Sequence, residues 1–347
     1  MQQLNFMAIV QAAWQAYDPH KEIQQITDIS VQVSTNHVYK IEFSRFDFII
    51  AKLSYFGTHQ HFAEDHQIIN VLAQHLPKPY ENVLARSLQK DEEVFVYRHQ
   101  NGTEDIWVVF YHPVQIRESL PRRLDMKHIQ QLGEEMAHFH LACEAQIPHL
   151  PASSKTLRYD IRELSDYLDT PEGRAEYGPY IGIIHEQTER FHENLNRFDY
   201  DRLPKVPVFI DWNIGNFSLN KEGKLFSRWD YDWFRCGARI LDFYFLSRVV
   251  SDIGDKTVFH YLVDPLLEGR FLHFLTHYHK IYPLSEQEVY LLREVYRFFI
   301  LNYVVKFGRH FFHSYYATRL QREAYEVYLP AVDQQFDPGK LLTILNR

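Results

Sequence analysis

The sequence has little cysteine: Cys143 and Cys236 are the two in 347 residues. That number excludes a disulfide framework and fits a reducing compartment, so a cytoplasmic protein is expected. No window reaches the ~18 consecutive apolar residues of a membrane-spanning helix. The N-terminus lacks a basic stretch followed by an apolar run, so no signal peptide is expected. Long basic runs are also missing, and the formal net charge is −8 with histidine neutral. Nucleic acid and anionic membranes both need a basic face, so neither is expected as a partner. A neutral or cationic small molecule is easier to reconcile with this charge. There are no internal repeats and no low-complexity tract, and nothing in the pattern specifies an oligomeric state.

What is abundant is aromatic: 26 Phe and 23 Tyr, which makes for ring-rich cores and pockets. The length suits one large domain or two lobes. Helical spacing of apolar residues predicts a helix over 6–17, closed by Asp18-Pro19. Strand-like β-branched and aromatic runs follow at 29–33, 38–43 and 46–53. A helix is expected over 61–76. Runs at 94–98 and 106–111 flank Asn101-Gly102, a strong hairpin signal. Beyond Met126 the patterns are helical, at 129–142, 157–168, 180–194, 241–251, 258–281 and 286–316. The reading is α+β: an antiparallel sheet lobe over 1–112, then a larger helical lobe over 113–347.

Chemistry concentrates between residues 209 and 232. Asp211 precedes Asn216 by five residues, with a turn-rich Asn213-Ile214-Gly215 between them. A carboxylate there can orient a hydroxyl and accept its proton, and an amide oxygen suits a hard cation such as Mg²⁺. A hairpin with a turn at Asn220-Lys221-Glu222-Gly223 leads to Asp230 and Asp232. If that stretch is a strand, positions two apart share a side, and paired carboxylates call for a cation. Upstream, Lys52 lies in an apolar strand run and needs a partner if buried. Glu64 or Asp65 in the next helix can supply it. Taken singly, each of these residues is as well explained by a cap, a turn or a solvated surface. Together and in this order they match the parts of phosphoryl transfer from Mg·ATP.

The chain resembles the protein-kinase-like phosphotransferases of small molecules, the aminoglycoside phosphotransferase and choline kinase group, from about Ser34 to Ser247. Asp211-Trp212-Asn213-Ile214-Gly215-Asn216 is similar to that family's His-Gly-Asp-x-x-x-x-Asn loop. Trp229-Asp230-Tyr231-Asp232 is similar to its Ile-Asp-Trp-Asp/Glu segment, and Gly237 and Asp242 fall where the family has a Gly and an Asp. Leu132 to His140 resembles its helix ending in a Leu-His or Phe-His pair, and Asn36 to Lys40 its nucleotide-loop strand. The resemblance implies a bilobal kinase-like fold and transfer of the ATP γ-phosphate to a small-molecule hydroxyl.

By the same resemblance, Asp211 is the catalytic base and Asn216 and Asp230 hold Mg²⁺. Lys52, oriented by Glu64, holds ATP phosphates. The backbone from Val109 through Tyr111 to His112 forms the adenine hinge. Asp242 braces the catalytic loop through backbone hydrogen bonds, and Asp232 sits beside the metal or at the substrate mouth. An amino sugar, a choline-like amine, a hydroxy amino acid or a sugar would each fit as acceptor. Three departures stand out. Phe209 and Ile210 replace the His and Gly, the loop at Ser34-Thr35-Asn36 has no glycine, and the lysine's partner is Glu64 or Asp65. The first departure supports an alternative, a catalytically weak nucleotide-binding regulatory module of the same fold. A protein-phosphorylating enzyme ranks lower, because no long activation segment with an Ala-Pro-Glu-like anchor follows Asp230.

Overall fold

The computed structural model describes residues 5–30, 37–102, 104–254 and 259–346. Helix α1 (Phe6–Tyr17) starts where the Asn5 side chain accepts from Ala8 N, and it buries Ile9, Val10, Ala13 and Trp14. Strands β1 (Gln25–Asp28), β2 (His37–Ser44) and β3 (Asp47–Ser54) follow. Helix α2 (His59–His75) is capped by Thr58, which accepts from His61 N. A small hairpin, β4 (Gln89–Lys90) and β5 (Glu93–Val94), precedes the longer β6 (Val96–Asn101) and β7 (Glu104–Tyr111). The main sheet is antiparallel in the order β1-β2-β3-β7-β6.

Alternation along β3 and β7 decides what each sheet face does. Ala51, Leu53, Val108 and Phe110 turn to one side, where they form a core with Val10 and Trp14 of α1. Trp107, Val109 and Tyr111 turn to the other, in a second core that includes Ile68, Ile69 and Leu72 of α2. Lys52 is the cross-strand partner of Val109, so its side chain stands on this second face, inside the molecule. That second core runs on without interruption into the helical part.

The helical part begins with α3 (Met126–Glu144), capped by Asp125, and continues through α4 (Leu157–Leu168), α5 (Pro171–Tyr177) and α6 (Ile181–Arg197). Short strands then frame the site. β8 (Val206–Val208) pairs with β11 (Arg235–Gly237), and β9 (Phe217–Leu219) pairs with β10 (Leu225–Arg228), all antiparallel. The turn joining β9 to β10 is the one expected: Asn220 Oδ1 accepts from Glu222 N and Lys224 N. Helices α7 (Phe243–Val250), α8 (Gly269–Ile281) and α9 (Glu286–Phe299) follow, and shorter helices between Gly308 and Leu345 add to the same core. At Gly133 of α3 an added Cβ would lie 2.6 Å from the Phe274 carbonyl of α8, so glycine permits this close helix contact.

Several sequence expectations shift. The first strand lies at Gln25–Asp28, ahead of the expected 29–33, and residues 31–36, including Ser34, Thr35 and Asn36, lie outside the described residues. The helix expected over 258–281 is a short 3-10 turn carrying Pro265 followed by α8. The helix expected over 286–316 widens into a π-helical turn at Ile300–Lys306 and ends before Gly308. No helix of the described residues is long and apolar enough to cross a membrane.

Candidate functional site

Lys52 is almost fully buried, and its Nζ lies 2.6 Å from Asp230 Oδ1 and 2.7 Å from Asp232 Oδ1. Burial pulls its pKa down, but the two carboxylates outweigh that and raise it, so the amine is held charged. Burial likewise pushes Asp230 up, and Lys52 and then Arg228 hold it below the usual carboxylate range. The two acids do not converge along a strand as expected. Residues 229–234 form an irregular turn, and Asp230 has φ 66°, a left-handed conformation that swings the two side chains onto one cation.

The expected helix partner of Lys52 is a correction. Glu64 accepts from Ser154 N at 3.0 Å and Ser154 Oγ at 2.6 Å, and from Gln60. Asp65 pairs with Lys155 Nζ at 2.5 Å. Both acids therefore tie α2 to the segment ahead of α4 instead of reaching the strand lysine. The next residue, His66, faces inward. Its Nδ1 donates to the Phe62 carbonyl at 2.7 Å and its Nε2 accepts from the Tyr111 hydroxyl. Burial depresses His66 to about 3, so it is neutral and adds no charge beside Lys52.

Asp211 follows β8 in a tight loop. Burial first, then the nearby Asp230 charge, raises its pKa to about 7. Asn213 Nδ2 donates to Asp211 Oδ1 at 2.5 Å, which fixes the carboxyl's orientation. Asn216 Nδ2 donates to the Asp211 carbonyl at 3.2 Å, identifying Oδ1 as the end of that amide able to meet a cation. Arg228 binds the loop from beneath. It is fully buried, and its Nη2 donates to the Asp211 carbonyl at 2.9 Å and its Nη1 to the Asn216 carbonyl at 3.1 Å. Its guanidinium lies 5.4 Å from the Phe209 ring centre and 5.3 Å from that of Trp212.

Asp242 braces the same loop from the other side. Its Oδ1 accepts from Phe209 N at 3.0 Å and Ile210 N at 2.7 Å, and its Oδ2 accepts from His140 Nε2 at 2.9 Å. His140 Nδ1 in turn accepts from the Tyr278 hydroxyl at 2.8 Å. Phe209 packs among Phe139, Trp212, Tyr231 and Phe234, an apolar pocket suited to a ring. Ile210 has φ 58°, a left-handed conformation that glycine adopts freely and a β-branched residue only under strain.

Val109 and Tyr111, expected at the adenine hinge, lie within the sheet. Val109 is buried in mid-strand, paired with Lys52 on one side and Val96 on the other, so the sheet already engages its backbone. Beside Tyr111, Leu88 N donates to the Phe110 carbonyl and His112 N to the Arg86 carbonyl. The ladder ends at His112. Residues 113–117 lie outside any strand and lead toward α3. Arg228, Lys155 and the cradle around His140 were not assigned from sequence. An arginine two residues ahead of Asp230, closing the hairpin's second strand, was the signal available for the first.

No family model matches the sequence, and no curated protein matches it. Solved structures do match. An amicoumacin kinase in complex with AMP-PNP, Ca²⁺ and Ami has a TM-score of 0.64 at 15% identity, covering 98% of this chain and 97% of that one. The fold is that of the small-molecule kinases. The kinase-like fold recurs in a microcompartment-associated aminopropanol kinase, with a TM-score of 0.59 at 14% identity over 91% of this chain and 94% of the other. Choline kinase LicA from Streptococcus pneumoniae gives 0.53 at 13% identity, over 95% and 100%.

Proposed function

We propose that this chain is an ATP-dependent phosphotransferase that moves the γ-phosphoryl group to a hydroxyl of a small molecule. The observation that carries the reading is one connected group. Lys52 joins Asp230 to Asp232, and Arg228 joins the carbonyls of Asp211 and Asn216. Residues 1–112 form the nucleotide lobe in this reading and 113–347 the helical lobe. Backbone beyond His112, in the segment 113–117, replaces Val109 and Tyr111 as the adenine contact. Pro113 has no N–H, so the hydrogen-bond donor comes from a later residue.

In the reaction, the acceptor oxygen bonds to the γ-phosphorus and the bond from that phosphorus to the β–γ bridging oxygen breaks. ADP leaves, and the acceptor proton passes to Asp211. A carboxyl with a pKa of about 7 is well matched to that transfer near neutral pH. Lys52 places positive charge against the phosphates. The donors fit Mg²⁺: the Asp230 carboxylate and Asn216 Oδ1 are hard oxygens, with Asp232 beside them. When bound, Mg²⁺ neutralises charge on the phosphates.

The acceptor enters a cavity of about 540 Å³ bounded by the start of α2, by α4, by Tyr231 and Asp232, and by the π-helical turn. The regulatory reading rests on Phe209 and Ile210. Asp242 and the ring pocket provide for both residues, so the loop is braced without the His-Gly pair. Titration of the protein with Mg·AMP-PNP tests the nucleotide half of this proposal. Affinity lost on Asp230→Ala supports it, and affinity unaffected by that change or by chelating the metal counts against it.

A further inference from the structure

We infer that the acceptor taken by the 540 Å³ cavity is a medium-sized molecule with aryl or other flat apolar surface and at most one ammonium group, neither a polycation nor a small choline-like amine. This rests on the phosphotransferase reading and on the charge arrangement of the cavity wall.

Six carboxylates line the cavity, which at first sight suggests a trap for a polyamine. Five of them are already neutralised. Asp65 meets Lys155 at 2.5 Å, Asp160 meets Arg235 at 2.8 Å, and Glu163 meets Lys306 at 2.8 Å. Glu176 meets Arg309 at 3.2 Å, and Asp232 meets Lys52 at 2.7 Å. Among the described residues, Asp166 alone of the six has no base within pairing distance, and it is exposed at the rim. A ligand with several ammoniums would have to break partly buried pairs to find partners, leaving the displaced Lys or Arg uncompensated. One ammonium can be met by Asp166 without breaking any pair.

Size argues against the other extreme. A cavity of this volume falls in the range of drug-sized ligands, and a small amino alcohol would leave most of it filled with water. Tyr167, exposed, and Phe307, half-buried, supply ring faces for apolar or aryl surface. The π-helical turn brings Asn302 to the wall with its Oδ1 buried and without a hydrogen-bond partner, an acceptor for a ligand N–H or O–H.

The test is calorimetric titration of the intact protein, without nucleotide, against three probes. Puromycin carries one ammonium, aryl rings and free hydroxyls, kanamycin carries several ammoniums, and choline is a small single cation. Puromycin is expected to bind at least ~10-fold more tightly than either of the others. The Lys306→Met variant, which unpairs the half-exposed Glu163, is expected to gain at least ~10-fold in kanamycin affinity. Any other order of affinities in the wild type overturns the inference, as does a Lys306→Met variant whose kanamycin affinity is unchanged. Loss of Mg·AMP-PNP binding, measured separately, would instead overturn the phosphotransferase reading.

Discussion

Asp232 Oδ1 lies 2.7 Å from Lys52 Nζ, so the second acid of the Asp-x-Asp pair takes the place at the lysine that was expected of α2. Glu64 and Asp65, on that helix, are spent on Ser154 and Lys155. If Asp230 turns to a metal in the working enzyme, Asp232 still holds the lysine. Replacing Asp232 with Asn is expected to weaken Mg·AMP-PNP binding about 10-fold, or ~1.4 kcal/mol. Asp232→Glu should recover part of that loss. Glu64→Gln should leave nucleotide affinity within about twofold. Calorimetric titration of the three variants distinguishes the two lysine partners.

The pKa of Asp211 has a consequence for stability. Burial and Asp230 raise it from the ordinary 3.8 to about 7, so between those values the folded protein binds more protons than the unfolded one. Stability from this group is therefore greatest at low pH and is lost as pH rises toward 7. Asp211→Asn removes the ionisation while keeping an oxygen for Asn213. The variant should melt at a higher temperature than the wild type at pH 8, and the gap should narrow at pH 5. Melting curves at the two pH values check the sign.

Much of the arrangement was legible in the sequence, and what was not has physical reasons. The sheet-then-helix order and the hairpin from Phe217 to Arg228 follow from β-branched runs and turn residues, whereas the irregular turn that carries Asp230 and Asp232 was expected as a strand. The partner of Lys52 did not follow from the sequence, because helical spacing puts Glu64 and Asp65 near the right height while tertiary contacts decide which way they face. The pairing of Val109 on both sides was not legible, because an apolar strand run does not reveal that strands flank it on both sides. The breaks in the helix expected over 286–316 were hidden because a π-helical turn keeps the apolar pattern while changing the backbone.

Arg228 is the residue whose importance appears only in three dimensions. Arg228→Met keeps an apolar stem but removes the guanidinium, with both donors to the loop carbonyls and its contacts to the Phe209 and Trp212 rings. The chemical step is expected to fall about 100-fold, since small displacements of positioned groups have effects of that size. Lysine cannot span both carbonyls as the guanidinium does, so Arg228→Lys should restore little of it. Single-turnover rates at saturating nucleotide check this, with nucleotide affinity changing far less.

Asp242 accepts from three N–H groups while fully buried. Asp242→Asn turns one acceptor oxygen into a donor facing another donor, and it is expected to destabilise the fold by about 3 kcal/mol. Urea denaturation should show a lower midpoint with an unchanged slope.

The most direct measurement of the central claim is transfer of labelled γ-phosphate from Mg·ATP to hydroxylated small molecules by the wild type and by Asp211→Asn. The account predicts acceptor-dependent transfer by the wild type, lost in the variant while AMP-PNP still binds. Equal transfer by Asp211→Asn would contradict the role of Asp211, and a wild type that neither binds nucleotide nor transfers phosphate would contradict the whole reading.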